Sequence, residues 1–299
     1  MSSLDELFVT QEIATQPDCW RRAADLAPHA PGLPTAGEKV AVIGCGTSWF
    51  IAMAYAALRE QAGLGWTDAF TATELPPGRA YDRVVAISRS GTTTEVAAAL
   101  AALPPGTGKT AITAVMDTPI AAGADQTVDL TFADEQSVVQ TRFATTALAL
   151  LRASLGEDLA RVVADGALAV AAPLPASWVQ APQAAFLGRG WTIGLAQEAA
   201  LKMREASLSL TEAYPAMDYR HGPIALAEPG RLVWMFGPPP AGLAAQVTAT
   251  GAEWIESSLD PMADLIRAQR LAVARGVARG LDPDHPRHLT RSVILDRAA

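Results

Sequence analysis

Two short stretches combine glycines with hydroxyl side chains: Gly44-Cys45-Gly46-Thr47-Ser48 and Ser88-Arg89-Ser90-Gly91-Thr92-Thr93. Each follows an apolar run and leads into Ala-rich sequence, so each reads as the turn where a strand hands over to a helix. Such turns point backbone N–H groups and the positive end of the helix outward, which suits an anion. The hydroxyls of Ser48, Ser88, Ser90 and Thr93 add donors, and Arg89 adds charge. Any one of these side chains alone is most often a helix N-cap. Two hydroxyl-rich loops in one sheet point to a small phosphorylated ligand. With no further glycine-rich stretch for a second phosphate, they fit a monophosphate rather than a nucleotide.

Farther along, Glu198, Lys202 and Glu205 fall at i, i+4 and i+7 on one face of a helix expected over residues 195–210. Ala196, Ala200, Met203, Ser207 and Leu210 line the opposite, more apolar face, which is expected to pack. A charged stripe of this kind is ordinarily a solvated row of ion pairs. Close downstream, His221-Gly222-Pro223 places an imidazole in a turn, because the Gly-Pro step opposes helix continuation. A lone histidine there is ordinarily structural.

Two other glycine patterns point away from nucleotides. Residues 104–110 (PPGTGKT) look like a phosphate loop, but Leu103 stands where its first glycine belongs, and a helix precedes it where a strand is required. Gly44 and Gly46 lack the third glycine of the dinucleotide fingerprint, whose place is Trp49. No nicotinamide cofactor is expected.

The elements that must carry these loops are legible in outline. A helix is expected through Trp20, Ala23 and Leu26, ended by the Pro/Gly cluster at 28–37. Strands are expected at 40–43, 84–87, 111–116 and 128–132, with helices to about Glu60 and over 95–103. Residues 173–182 are Pro-rich with little periodicity and read as a linker. Past it the opening pattern returns: Ala185-Phe186-Leu187-Gly188-Arg189-Gly190 repeats Ala41-Val42-Ile43-Gly44-Cys45-Gly46 at an offset of 188 − 44 = 144 residues. The chain therefore reads as a duplicated αβα domain, with a helical segment at 1–35, a first domain at 36–172 and a second at 173–299. A further strand is expected at 231–236.

Composition bounds the rest. The 299 residues, half of them hydrophobic, suffice for two α/β domains. With 31 acidic against 23 basic residues the net charge is −8, so no nucleic-acid partner is expected. Two cysteines cannot form a disulfide framework, and residues 1–10 lack the pattern of a secretory signal, so the expectation is cytoplasmic. No apolar stretch approaches the ~18 residues that span a bilayer, and no membrane association is expected.

Together these segments resemble the sugar isomerase (SIS) family, specifically the paired domains of the isomerase half of glucosamine-6-phosphate synthase and the related amino-sugar-phosphate deaminases and deglycases. The resemblance runs through both hydroxyl loops, residues 135–146, Phe186 to Gly190, the Glu198–Glu205 helix, Tyr219 to Pro223, and the tail from Pro286 to Val293. It implies two tandem flavodoxin-like αβα sandwiches with parallel sheets, and a homodimer with its active site at the subunit interface. It implies that Ser48, Ser88, Arg89, Ser90 and Thr93 hold a sugar phosphate, and that Glu205 moves a proton between C1 and C2. His221, from the neighbouring subunit, would assist ring opening. Thr47, Val138, Gln140, Glu198, Lys202 and Arg291 would contact the substrate. Neither metal nor cofactor is implied.

Two departures shape the expected activity. The chain begins Met1-Ser2-Ser3 without the glutaminase portion of the synthase, so it is not expected to be a complete synthase. The tail lysine that forms a Schiff base in the synthase corresponds to Arg291, whose guanidinium cannot serve as that nucleophile. Likewise Arg142 replaces the lysine of the synthase's Ser-Thr-Lys stretch. The resemblance then implies a deaminase/isomerase that converts a hexosamine 6-phosphate, such as glucosamine 6-phosphate, to a ketose 6-phosphate and ammonia. The alternatives are a deglycase of phosphorylated fructosyl-amino acids and a non-catalytic sugar-phosphate-binding module.

Overall fold

The structure is a computed structural model that describes residues 4–295. The chain divides into two compact units. One comprises the chain up to Pro17, Gln136–Thr141 and Ala160–Leu289; the other comprises Asp18–Glu135, Arg142–Leu159 and the chain from Thr290 on.

Two helices open the chain, α1 (Phe8–Ala14) and α2 (Gln16–Leu26). α2 is the helix expected through Trp20, Ala23 and Leu26; Trp20 is buried in it, and its Nε1 donates to Thr145 Oγ1 at 2.9 Å. The second-named unit continues with β1 (Val40–Gly44), α3 (Thr47–Gln61), β2 (Thr67–Thr71), β3 (Arg83–Ser88), α4 (Thr94–Ala101), β4 (Gly108–Thr113), α5 (Pro119–Ala122), β5 (Gln126–Asp129) and α6 (Arg142–Ser154). Its sheet is wholly parallel in the order β2-β1-β3-β4-β5, a flavodoxin-like doubly wound order. The reason is visible in β1, whose Val-Ala-Val-Ile-Gly run is buried throughout, as a strand covered on both faces must be.

The first-named unit holds α7 (Ala160–Ala171), α8 (Ala176–Gln180), β6 (Ala184–Gly188), α9 (Thr192–Ser207), β7 (Thr211–Pro215), β8 (Leu232–Met235), α10 (Leu243–Ala249), β9 (Glu253–Ile255) and α11 (Pro261–Ala278). Its four parallel strands run β7-β6-β8-β9, the same permutation as the first four strands of the other sheet. The starts of β1 and β6 differ by 184 − 40 = 144 residues, so the repeat seen in sequence is a repeat of fold.

Gly44 and Gly188 end the equivalent strands for the same physical reason. A Cβ on Gly44 would lie 2.6 Å from Ser48 Cβ, and one on Gly188 would lie 2.3 Å from the Thr192 carbonyl oxygen. In both, the following helix comes so close to the strand end that only glycine fits. Gly188→Ala is expected to cost more than Gly44→Ala, because its backbone contacts would be closer, 2.3–2.6 Å against 2.7–2.9 Å. Both should fall in or above the ~1–3 kcal/mol typical of overpacking, read from denaturant midpoints. Equal stability to the parent in either variant would refute the close-packing argument.

Several expectations need correction. The strand expected at 111–116 is β4 at 108–113, because Thr113 Oγ1 donates to the carbonyl of Val115 and turns the chain away. That expected at 128–132 is β5 at 126–129, where Asp129 accepts from Thr131 N and starts a 3-10 turn. The Pro-rich stretch at 173–182 contains α8, anchored by buried Trp178, whose Nε1 donates to Glu253. The helix expected over 195–210 is α9 at 192–207. Leu208 adopts φ 52° and ends it, leaving Leu210 84% exposed and outside any packing face.

Candidate active site

The hydroxyl loops sit at the carboxyl ends of β1 and β3, neighbours whose chains leave toward opposite edges of the sheet, β1 to β2 and β3 to β4. Open α/β sheets bind ligands at such a switch point. Thr47, Ser48, Ser88, Arg89 and Ser90 are all buried there. The ordinary capping role is not what their side chains perform: neither Gly46 before α3 nor Thr93 before α4 gives a side-chain cap. Instead Ser88 Oγ accepts from Gly91 N at 3.2 Å and Ser90 Oγ from Thr92 N at 3.2 Å, while Ser88 and Thr93 hydroxyls stand 3.5 Å apart. The serines shape the loop from within.

Arg89 is directed at Glu135. Its guanidinium lies 3.8 Å from that carboxylate, both side chains being buried, and donates to the Arg291 carbonyl at 3.0 Å. Glu135 also accepts from Arg142 N at 2.7 Å and Phe143 N at 3.3 Å, so it caps α6 while neutralising Arg89. The Arg291 side chain binds the Asp134 carboxylate and the Glu135 carbonyl, and Arg142 binds the Asp134 carbonyl. The tail continues across the loop: Ser292 Oγ lies 3.0 Å from Ser90 Oγ and 2.9 Å from Thr92 Oγ1, and Thr94 N donates to the Val293 carbonyl. Sequence reading missed Glu135 and Ser292 as parts of this loop's surroundings. The signal available for Glu135 was an acid seven residues before a helix start.

Cys45, inside the first loop, is not an activated thiol. Burial pushes its pKa above the ordinary thiol range and the nearby Glu95 raises it further, against lowering contributions from Ala72 N–H and Thr71. A raised pKa means less thiolate at neutral pH. Alkylation of Cys45 by iodoacetamide is therefore expected to be slower than that of free cysteine at pH 7 and to climb with pH. Faster labelling than free cysteine at pH 7 would contradict this.

In the four-stranded unit, α9 carries the charged row, but not as a solvated stripe. Glu198 is fully buried and Lys202 is 1% exposed, because α9 is enclosed by packing on α11, β6 and β7. The Lys202 ammonium stands 3.5 Å from Glu198 and 2.5 Å from Glu205, whose side chain keeps 18% of its exposure. Glu205, near the end of the helix, thus presents a carboxylate held by a buried cation. Beside it is a cavity of about 30 Å³, also walled by Leu208, Leu281, Asp282 and His285.

The remaining expected residues are dispersed. His221 follows a 3-10 turn at Asp218–Arg220 and precedes Gly222 at φ 130°. Its side chain is exposed and is not part of the wall beside Glu205. Val138 N donates to the Asp284 carbonyl at 3.0 Å, and the Glu12 carboxylate accepts from Gln136 N and Ser137 N, fixing the segment that carries Val138 and Gln140. Gln140 Nε2 is buried without a hydrogen-bond partner among the described residues. Among the described residues no cluster of three or more His, Cys, Asp or Glu side chains could hold a metal ion, and no helix is long and apolar enough to cross a membrane.

No family model matches the chain. Among curated proteins it is 28% identical to a glutamine–fructose-6-phosphate aminotransferase (isomerizing) of Pyrobaculum aerophilum, over 97% of this chain and 58% of that protein. It is 38% identical to the same enzyme of Aeropyrum pernix over 37% of this chain and 23% of that one. The chain spans about half the length of the curated relatives it matches over most of its own sequence. Among solved structures, a glucosamine-6-phosphate deaminase of Thermotoga maritima superposes with TM-score 0.78 at 26% identity, covering 96% of this chain and all of that one. A tagatose-6-phosphate ketose/aldose isomerase of Escherichia coli shares the fold, with TM-score 0.76 at 21% identity over the whole of this chain and 99% of that one.

Proposed function

We propose that this chain, whose homologues are the isomerase (SIS) half of glutamine–fructose-6-phosphate aminotransferases, is an amino-sugar-phosphate deaminase/isomerase acting on a hexosamine 6-phosphate such as glucosamine 6-phosphate. The observation that carries this reading is Glu205, partly exposed, 2.5 Å from a Lys202 ammonium that is itself buried. Aldose–ketose interconversion needs a positioned base beside the α-carbon, and the ammonium fixes the carboxylate where it can serve.

In this reading the loops after β1 and β3 hold the phosphate through Ser48, Ser88, Ser90 and Thr93. Arg89, with its charge met by Glu135, stiffens the second loop. Glu205 removes the proton at C2 of the ring-opened amino sugar and returns one to C1, giving the C2 imine, and water then releases ammonia. Thr47, Val138, Gln140 and Arg291 are the further substrate contacts of this reading, whereas Glu198 and Lys202 are buried and act by holding Glu205. His221 assists ring opening from a second copy of the chain, to which its exposed position leaves it accessible. The working form is then a cytoplasmic homodimer. Likeness to the Thermotoga maritima deaminase along its full length supports ammonia as the leaving group.

The test is product analysis with glucosamine 6-phosphate and purified protein. Equimolar fructose 6-phosphate and ammonia are expected. Saturable binding without turnover would favour a deglycase or a sugar-phosphate-binding module instead.

A further inference from the structure

We infer that the small cavity beside Glu205 seats the water that hydrolyses the C2 imine, and that His285, oriented by Asp282, takes that water's proton. The inference rests on the deaminase reading and adds to it the group that performs its second half. Enolisation alone needs no water at C2, whereas ammonia release needs one delivered there.

Three observations meet at this place. First, the cavity measures about 30 Å³, more than the ~10–15 Å³ that seating one water requires. Second, Glu205, the base of the proposed reaction, forms part of its wall, so a water in this cavity lies next to the residue that must reach C2. Third, His285 Nδ1 lies 3.0 Å from Asp282 Oδ2, and both residues line the same cavity. With Nδ1–H donated to Asp282, the lone pair of Nε2 is free to accept a proton. All of these residues belong to the four-stranded unit. The Asp282–His285 pair is 55% and 73% exposed, which makes it worth little to stability.

The chemistry balances without a further reagent. The water oxygen bonds to C2 of the protonated imine, the C=N electron pair moves to nitrogen, and the water's proton passes to Nε2 of His285. That proton is then given to the nitrogen of the carbinolamine. The C2–N bond breaks with its electrons leaving on nitrogen, while the hydroxyl oxygen forms the carbonyl and its proton goes to the medium. The sum is protonated imine plus water giving ketone, ammonia and the proton released to the medium.

The test separates the two halves of the reaction. Glucosamine 6-phosphate is incubated in D2O, and exchange of the C2 hydrogen and release of ammonia are followed together for the parent, His285→Gln and Asp282→Asn, with thermal melts as a check on folding. For His285→Gln we expect ammonia release to fall roughly 100-fold, with C2 exchange within about threefold of the parent. Asp282→Asn should show the same split with a smaller loss. Undiminished ammonia release in His285→Gln, or an equal fall in exchange and release, overturns the inference while leaving the deaminase reading intact. Neither exchange nor ammonia from the parent would mean that the deaminase reading itself has failed.

Discussion

Glu205→Gln is expected to abolish C2 hydrogen exchange and ammonia release from glucosamine 6-phosphate by ~10²–10⁴-fold, the span associated with loss of a general base. The amide keeps the size and one acceptor oxygen of the carboxylate, so Lys202 retains a hydrogen-bond partner there and Glu198 at 3.5 Å. Because Glu205 is partly exposed, stability should drop by only about 1 kcal/mol. Binding of the sugar phosphate, measured calorimetrically with the non-reacting inorganic phosphate as control, should stay within about threefold, since the loops proposed to hold phosphate follow β1 and β3. A variant with full turnover would assign the proton transfer to another group; one that loses binding as well as turnover would make Glu205 a ligand anchor rather than a base.

The second large effect is one of stability. Lys202→Met should destabilise the protein by about 3–5 kcal/mol, because it leaves the fully buried Glu198 carboxylate without the ammonium beside it. The cost belongs to the stranded charge rather than to the lost contact, and this can be checked. Adding Glu198→Gln to Lys202→Met should recover a kcal/mol or more, so the double variant is more stable than the sum of the singles requires. Urea midpoints of the four proteins decide it. A Lys202→Met protein within about 1 kcal/mol of the parent would mean that the buried row contributes no such electrostatic constraint.

How much of this was legible in the chain depends on what each residue touches. The strands β1, β3 and β6 could be read because burial on both faces leaves an unbroken apolar run, and the glycines ending β1 and β6 mark the close approach of a helix. The edge strands β2 and β7 were missed. Their Thr-Asp-Ala-Phe-Thr and Thr-Glu-Ala-Tyr-Pro sequences are polar and half-buried, and a strand with one neighbour needs neither a long apolar run nor strict alternation. The α9 row was visible as a pattern, but its burial was not, since helical spacing says which residues share a face and nothing about what covers it. The surroundings of the second loop were least legible: Glu135 and Ser292 reach Arg89 and Ser90 across 46 and 202 residues of sequence, contacts that only the fold creates.

The most direct measurement is proton NMR of the parent protein with glucosamine 6-phosphate in D2O, with ammonium assayed in the same samples. The expected result is fructose 6-phosphate carrying solvent deuterium at C1, formed in step with an equal amount of ammonium and absent with Glu205→Gln. An unchanged substrate spectrum, with the C2 hydrogen intact while the sugar phosphate is bound, would contradict the proton transfer on which the proposed function stands.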